Sequence, residues 1–217
     1  VSRLFGFNLK RNFAFPYFSR DIAEFWRRWH ISLSTWFRDY LYIPLGGSRG
    51  DIWMKVRNTF IIFLVSGFWH GANWTFLVWG ALNAIYFLPL LLLNKNRSNI
   101  GIVAENSYLP NFKEMYNMLL TFTLTVIAWV FFRAENLEHA ISYLLGIFNK
   151  SFFTVPVLNS KMILTLALIL FFLIIEWLGR TNEYAIDKIG FNKPKFIRII
   201  FYYILIIMIF LFAGNNQ

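Results

Sequence analysis

The stretch of sequence that decides the fold runs from Asn58 to Asn94 and reads NTFIIFLVSGFWHGANWTFLVWGALNAIYFLPLLLLN. None of its 37 residues is Asp, Glu, Lys or Arg. About 20 apolar residues in a helix are enough to cross the hydrocarbon core of a bilayer. The run is therefore long enough for two membrane helices or for a re-entrant segment. Both arrangements return the chain to the side of the membrane on which it started.

The rest of the chain has the same apolar character. Of the 217 residues, 58% are hydrophobic and 15% are charged, and the mean hydropathy is +0.51. This composition excludes a disordered chain, and the absence of cysteine excludes a disulfide scaffold, a thiol nucleophile and a thiolate metal site. Three more membrane spans are predicted, at residues 115–133, 161–178 and 198–213. We therefore predict an all-α, polytopic helical membrane protein with about five membrane segments.

The formal net charge of +10 is concentrated in three segments of the chain. Residues 1–57, 94–114 and 179–198 carry 18 of the 21 Lys and Arg, and all three would lie on one side of the membrane. By the positive-inside rule this side is cytoplasmic. The charge is thus typical of a membrane protein in contact with lipids, and we expect no nucleic-acid partner. Val1 is not an initiator methionine, and the chain reads as a fragment of a longer protein.

An amphipathic helix is predicted on the cytoplasmic side, from Asp21 to Phe37. Apolar residues recur there at spacings of three and four, and Asp21 followed by Glu24 has the form of a capping box. On the opposite face, Glu24 has Arg20 and Arg28 four residues away on either side, which favours two salt bridges. A basic helix with tryptophans at headgroup depth is also typical of an interfacial helix that rests on anionic lipid.

His30 is the unusual residue of this predicted helix. In a continuous helix it would share the apolar face with Trp26, Leu33 and Phe37. A structural histidine with satisfied hydrogen bonds and a functional histidine are both compatible with this position. The helix pattern alone does not decide between them.

A glycine-rich turn follows the predicted helix. Pro44 stops any helix because it lacks a backbone donor, and Gly46-Gly47-Ser48-Arg49 comes directly after it. The glycines free the backbone for close approach to a ligand, so that amide groups and a guanidinium would be available to a phosphate. An ordinary glycine turn beside an exposed arginine explains the same residues.

His70 is the one group in the 37-residue run that titrates near neutral pH. A polar group is costly within the nonpolar layer, so this histidine is expected there only with a structural partner or a function. Gly67 and Gly71 flank it at a spacing that allows helices to pack closely or to break. Further hydrogen-bonding side chains lie nearby in the sequence and favour a polar pocket around the imidazole: Ser66, Trp69 and Asn73.

A neutral imidazole in such a pocket suits general-base catalysis, because it can take a proton from a hydroxyl that attacks an activated carbonyl. The sequence has no GxSxG elbow, HExxH motif, Walker loop, GxGxxG motif or cluster of metal ligands. Direct transfer from a pre-activated donor, without a metal, is therefore the simplest mechanism. A transporter or flippase component with His70 lining the pathway, and a purely structural membrane subunit, are the alternatives. The lack of acidic residues in the run disfavours proton-coupled transport.

Two motifs resemble a known family. They are EFWRRWHISLSTWFRDYLYIPLGG, from Glu24 to Gly47, and GFWHGANW, from Gly67 to Trp74. Together they resemble the signature of the membrane-bound O-acyltransferases (MBOAT), in the bacterial alginate O-acetylation (AlgI-like) branch. The chain would correspond to the C-terminal half of such a protein. The resemblance implies one MBOAT domain in the bacterial inner membrane, with a tunnel that joins a cytoplasmic donor to an acceptor beyond the membrane.

The resemblance also implies a function and a set of site residues. The protein would move an acyl group, acetyl in the first instance, from acetyl-CoA or a carrier-bound acyl thioester to a hydroxyl of an exported polysaccharide, peptidoglycan or relay partner. An acyl carrier protein and a periplasmic acetyltransferase- or esterase-like relay protein are the partners it implies. The expected catalytic residues are His70 and His30. The residues expected to bind substrate are Trp69, Asn73, Trp74, Trp26, Arg27, Arg28, Arg38 and Arg49.

These predictions divide the chain into three parts. Residues 1–57 hold the amphipathic helix and the glycine-rich loop on the cytoplasmic side. Residues 58–93 form the catalytic membrane helix pair or re-entrant segment. Residues 94–217 supply further transmembrane helices of the same domain.

Overall fold

A computed structural model describes residues 2–7, 9–147, 158–186 and 194–212. All the regular structure of these residues is helical, as predicted. Two compact units can be distinguished, residues 1–157 and residues 158–217. The first contains helices α1 to α6 and the second contains α7 and α8. The bounds are α1 Ile22–Arg28, α2 Ile31–Phe37, α3 Ile52–His70, α4 Trp74–Leu92, α5 Phe112–Arg133, α6 Leu137–Ile147, α7 Ser160–Gly179 and α8 Lys195–Phe212.

The apolar run that opens the sequence forms a hairpin of two helices, α3 and α4. Two glycines allow the helices to approach closely, since a Cβ on Gly67 would overlap the carbonyl of Phe76, and a Cβ on Gly80 would overlap that of Phe63. Gly71 ends α3 with φ at 155°, a conformation that side chains with a Cβ rarely adopt. The hairpin therefore depends on glycine both in its seam and in its turn.

Helix α5 packs against α4, and α6 packs against both. Asn111 and Glu114 form a capping box at the start of α5. At the opposite end of the bundle, the Asn73 amide donates to the carbonyl of Glu135 at 3.0 Å, which ties the α3–α4 turn to the link between α5 and α6. The position of α6 was not predicted from the sequence.

Three of the described helices are long and apolar enough to cross a membrane: α4, α5 and α7. The prediction of about five segments is thus confirmed for three, and the spans predicted at α3 and α8 stay predictions. In the first unit, segments 1–57 and 94–114 meet at one end of the bundle, where Arg28 donates to Gly101 O at 2.9 Å. This arrangement agrees with the prediction that both segments lie on the same side.

The single helix predicted from Asp21 to Phe37 is wrong. Helix α1 ends at Arg28, and α2 begins at Ile31, with His30 between them in the left-handed region at φ 45° and ψ 55°. The preceding segment replaces the interrupted helical hydrogen bonds, since Ala14 N donates to Arg28 O and Ile31 N donates to Asn12 O, both at 2.9 Å. These partners come from outside the helix, which is why the local periodicity gave no sign of the break.

The polar face of α1 is buried instead of solvated. Asp21 caps the helix by accepting from Glu24 N, but the Glu24 carboxylate accepts from Arg20 N instead of completing the capping box. Glu24 is 1% exposed and forms the two predicted salt bridges, with Arg20 at 3.0 Å and with Arg28 at 2.6 Å. Arg20 also reaches Glu114 at 3.2 Å, so that the network joins α1 to the start of α5.

Candidate functional site

A cavity of about 310 Å³ lies between α1, α2, α3 and α4. Its inner wall consists of buried side chains of α3 and α4 together with Phe37 of α2. Its outer wall consists of exposed polar side chains, so that it opens at the end of the bundle where the basic segments meet. Three residues of the predicted apolar helix face line it together despite the helix break: Trp26, Leu33 and Phe37.

Three arginines line the outer part of this cavity: Arg27, Arg38 and Arg97. Arg27 donates to the carbonyls of Asn96 and Asn99 at 2.7 and 2.8 Å, and so holds the loop between α4 and α5 against α1. Burial lowers the pKa of Arg27; the positive charges of Arg28 and Arg97 lower it further, whereas Asp21 and Glu24 raise it. Arg38 forms a salt bridge with Asp39 at 2.7 Å in which both side chains are largely exposed.

Two other predicted arginines lie elsewhere. Arg28 is held by Glu24 and by the carbonyls of Ala14 and Gly101, and it does not line the cavity. Arg49 is exposed in the glycine-rich turn and does not line the cavity either. The turn itself is bound by the protein, because the buried Asn58 amide donates to the carbonyls of Leu45 and Gly47.

His70 is the last residue of α3, and aromatic rings surround it. Its ring centroid lies 4.9 Å from those of Trp69 and Phe132, 5.4 Å from that of Trp79 and 6.2 Å from that of Phe76. The sequence predicted a pocket of hydrogen-bonding side chains, but in the described residues the imidazole makes no hydrogen bond. Aromatic packing therefore sets the orientation of this ring.

Two residues that line the cavity lie close to His70 or to its neighbours. Buried Ser66 lines the cavity and precedes His70 by four residues, about 6 Å along a helix. Trp26, which also lines the cavity, donates to Asn83 Oδ1 at 3.2 Å and packs against Trp79, whose ring contacts His70. Ser66, in the cavity lining, and His70 are thus separated by about one turn of α3.

His30 lies near the same site but does not line the cavity. Its Nδ1 is buried and has no hydrogen-bond partner among the described residues. A charge on His30 acts electrostatically on His70, which places the two imidazoles within interaction range. An unpaired buried nitrogen on a residue in the left-handed region is costly, so both features mark His30 as a candidate functional residue.

The remaining predicted site residues lie at the α3–α4 turn. Trp69 and Trp74 are 60% and 71% exposed, and only Trp69 is in ring contact with His70. Asn73 accepts from Thr75 N as the cap of α4 and uses its amide to bind Glu135 O. No group of three or more potential metal ligands occurs in the described part of the chain.

Several residues of the site were missed by the sequence analysis. Among them, Arg97 and Tyr42 line the cavity, and Phe132 contacts His70. The positive charge of Arg97, beside an apolar helix, was the available signal for that residue. Phe132 gave none, because it is one of 26 phenylalanines in the chain and reaches His70 only through the packing of α5.

The part of the chain that contains this site also matches a known protein family. A sequence model described as "MBOAT, membrane-bound O-acyltransferase family" matches residues 2–120, which include α1 to α4, both motif histidines and the cavity. The chain belongs to the membrane-bound O-acyltransferase family. The fold and the resemblance expected from the two motifs are thereby confirmed at the level of the family.

Curated relatives of this MBOAT chain carry several names. It is 38% identical over 195 residues to "Probable alginate O-acetylase AlgI" of Azotobacter vinelandii. These residues cover 88% of this chain and 37% of that protein. It is 42% identical to the peptidoglycan O-acetyltransferase of Helicobacter pylori, over 67% of this chain and 26% of that protein. It is 32% identical to a teichoic acid D-alanyltransferase of Streptococcus thermophilus, over 61% of this chain and 35% of that protein. The chain thus spans about a third of the length of these relatives.

Proposed function

We propose that the full-length protein is a membrane-bound O-acyltransferase that moves an acyl group, acetyl in the first instance, from a thioester donor to a hydroxyl on the far side of the bacterial inner membrane. The observation that carries this proposal is that the cavity and His70 share helix α3. The cavity has arginines and apolar side chains in its lining, and it is also lined by Ser66, which lies one helical turn before His70. A narrow apolar site with a basic opening suits a long, uncharged thioester arm with an anionic head.

His70 acts as the general base in this proposal. Its imidazole takes the proton of the acceptor hydroxyl as the oxygen attacks the thioester carbonyl carbon. The C–O bond forms, the C–S bond breaks, and the proton passes from the imidazolium to the departing thiolate. The products are an ester and a free thiol. The surrounding rings of Trp69, Trp79 and Phe132 hold the imidazole in place and limit the access of water.

His30 positions the reactive end of the donor. Its buried Nδ1 is available as a hydrogen-bonding group. Trp26 shapes the cavity beside it, and Trp69, Asn73 and Trp74 would contact the acceptor at the opposite end of the hairpin.

The names of the relatives support the proposed acceptor class. Alginate, peptidoglycan and teichoic acid are polymers found outside the cytoplasm, and each appears in the name of a relative. An exported polysaccharide or peptidoglycan is therefore the acceptor class that we propose, reached directly or through a periplasmic relay protein. Acetyl-CoA or an acyl carrier protein would supply the donor from the cytoplasm.

The test is transfer of labelled acetyl groups in cells that express the full-length gene with His70→Ala. Loss of the general base is expected to lower incorporation into cell-surface polymer by roughly 100-fold or more. Protein abundance in the membrane fraction, measured in parallel, should remain near that of the wild type. Near-normal acetylation by the variant would refute the catalytic role. His139→Ala is the matched control, since His139 is exposed on α6 and is not part of the proposed site.

A further inference from the structure

A separate cavity, of about 320 Å³, lies where α5 ends and α6 begins, and we call it the α5–α6 cavity. It shares no lining residue with the cavity beside α1. One face of α5 supplies four lining residues, at spacings of three and four: Val126, Trp129, Val130 and Arg133. The remaining lining residues are Ala134, His139 and Tyr143. The Trp129 ring also packs against that of Trp29, with centroids 5.2 Å apart, so this wall is fixed by the protein core.

The α5–α6 cavity lies at the edge of the membrane, at the end of the bundle opposite the basic segments. Helix α5 is long and apolar enough to cross a bilayer, and it ends at Arg133. The 11 residues of α6 span about 16 Å, too short to cross, and they expose apolar side chains such as Ile141 and Leu145. A short helix of this kind lies in the headgroup region. The cavity therefore reaches from headgroup depth at Arg133 about 10 Å toward the acyl chains, at Val126.

Two polar groups at the headgroup end of this cavity have no protein partner. Arg133 is exposed, and no hydrogen bond or ion pair holds its guanidinium within the described part of the chain. The Tyr143 hydroxyl likewise makes no hydrogen bond to a described residue. No Asp or Glu of these residues lines the cavity. A guanidinium and a hydroxyl can donate several hydrogen bonds to one phosphate, and a single guanidinium neutralises a phosphodiester, so the site needs no contribution from His139.

Two features favour a phospholipid over an acidic polymer as the anion that binds here. The wall below the cation is apolar at Val126 and Val130, which suits an acyl chain and offers nothing to a charged sugar. Glu135 and Glu138 are exposed and lie next to lining residues in the chain, so they would repel a polyanion. A phospholipid headgroup with at most one net negative charge is much less affected by this repulsion.

We propose that the α5–α6 cavity binds one phospholipid of the leaflet opposite the basic segments. Arg133 and Tyr143 hold the phosphodiester, and one acyl chain lies along Val126, Trp129 and Val130. The lipid is bound and not consumed, so this site goes beyond the proposed acyl transfer and does not rest on it. Phosphatidylethanolamine and phosphatidylglycerol carry the same phosphodiester, and either one fits these contacts.

The first experiment measures lipid binding by native mass spectrometry of the full-length protein in detergent. Dioleoyl phosphatidylethanolamine, dioleoyl phosphatidylglycerol and dioleoylglycerol are added in turn. The three have the same acyl chains, but only the first two carry the phosphodiester. We expect both phospholipids to bind the wild type about 10-fold or more tightly than dioleoylglycerol, as a charge-assisted contact implies. The tighter of the two identifies the headgroup.

Two variants test the phosphate contact. Arg133→Gln should remove most of the preference for phospholipid over dioleoylglycerol, and Tyr143→Phe should reduce it roughly threefold, as loss of a neutral hydrogen bond implies. Lys113→Gln is the matched control, since Lys113 is an exposed cation near the start of α5 and does not line the cavity. All three variants change exposed side chains and should unfold in lipid-free detergent at the temperature of the wild type.

The second experiment separates a lipid from a soluble acid as the ligand. Glycerophosphoethanolamine, which has the phosphodiester without acyl chains, and an oligomer of a uronic acid each compete with labelled phospholipid. The proposed site needs both the phosphodiester and an acyl chain. Neither soluble competitor should therefore displace the lipid, even at a large molar excess.

Three results would overturn the phospholipid site. Equal affinity for phospholipid and dioleoylglycerol would remove the phosphate contact. An effect of Lys113→Gln as large as that of Arg133→Gln would mean a general attraction between basic side chains and headgroups. Displacement by either soluble competitor would assign the cavity to a soluble anion. Failure of the proposed function is distinct from these results, because it would appear as absent acetyl transfer with lipid binding unchanged.

Discussion

The two ends of the first unit are stabilised by different forces. At the end where the basic segments meet, Glu24 is buried between Arg20 and Arg28, and directed hydrogen bonds join α1 to the loop at residues 96–101. At the other end, around His70, aromatic rings pack edge to face, and the imidazole has no hydrogen bond to a described residue. The cavity lies beside α1, and Ser66 in its lining is one helical turn from His70.

This difference in stabilising forces indicates which part of the proposed chemistry each end of the first unit supports. Ion pairs and hydrogen bonds are directional, and they fix the position of α1 and its loop, so that the mouth of the cavity has a defined geometry. Aromatic packing fixes a ring without engaging its nitrogens. In the proposed mechanism, the nitrogens of His70 are therefore available to the substrate. A residue that must exchange protons is better held by contacts that do not depend on its protonation state.

The largest effect on stability is expected from Glu24→Gln. The amide is close to isosteric, but it leaves the nearly buried guanidinium groups of Arg20 and Arg28 without their shared counter-charge. Loss of one partner in such a network costs about 3 kcal/mol or more. Thermal unfolding of the full-length protein in detergent, followed by tryptophan fluorescence, measures the loss.

Glu138→Gln is the control for this substitution, because Glu138 is exposed in the first turn of α6. A surface carboxylate contributes only a few tenths of a kcal/mol, roughly. If Glu24→Gln unfolded at the same temperature as Glu138→Gln, directional charge pairing would not be what stabilises this end of the protein, and the comparison between the two ends would fail.

A smaller loss of stability than that of Glu24→Gln is expected from Gly67→Ala in the hairpin that carries His70. The added Cβ would overlap the carbonyl of Phe76, so that α3 and α4 must move apart. Overpacking of this kind costs about 1 to 3 kcal/mol. Gly146→Ala in α6 is the matched control, since nothing lies within 4 Å of its added Cβ and alanine is the better helix former by about 0.5 to 1 kcal/mol.

The measurement is thermal unfolding of both variants, together with acetyl transfer. The shift of α3 should also displace His70, so that Gly67→Ala is expected to lose activity as well as stability. Equal unfolding temperatures for the two alanine variants would show that the hairpin tolerates separation and that its close packing does not position the imidazole.

Features that depend on local sequence were predictable. The uncharged run from Asn58 to Asn94 predicts a helix pair, and Gly71 in its middle supplies the break. The spacing of Glu24 from Arg20 and Arg28 predicts both salt bridges. Each of these features is decided by side chains within one or two helical turns of each other, so a pattern in the sequence reports it directly.

Features that depend on distant segments were not predictable. The break at His30 exists because Asn12 and Ala14 supply hydrogen bonds that a continuous helix would make internally. The salt-bridge network around Glu24 extends through Arg20 to Glu114, 90 residues further along the chain than Glu24. Likewise, the aromatic surroundings of His70 depend on Phe132, which belongs to another helix. In each case the deciding partner has no fixed spacing from the residue that it affects.

The smallest effect is expected from Asp39→Asn at the mouth of the cavity, which tests the same kind of ion pair without burial. The hydrogen bond from Arg38 holds the pKa of Asp39 below its ordinary value. A carboxyl with a lowered pKa in the folded state contributes stability above its unfolded pKa, about 3.9, and this contribution is lost as the pH falls through the folded pKa. Since both side chains are largely exposed, solvent screens the pair, and the variant should unfold at pH 7 within about 1 °C of the wild type. Any small difference at pH 7 should shrink as the pH falls below about 3.9 and disappear once the wild-type carboxyl is protonated in the folded state. A loss at pH 7 comparable with that of Glu24→Gln would mean that burial is not what distinguishes the two pairs.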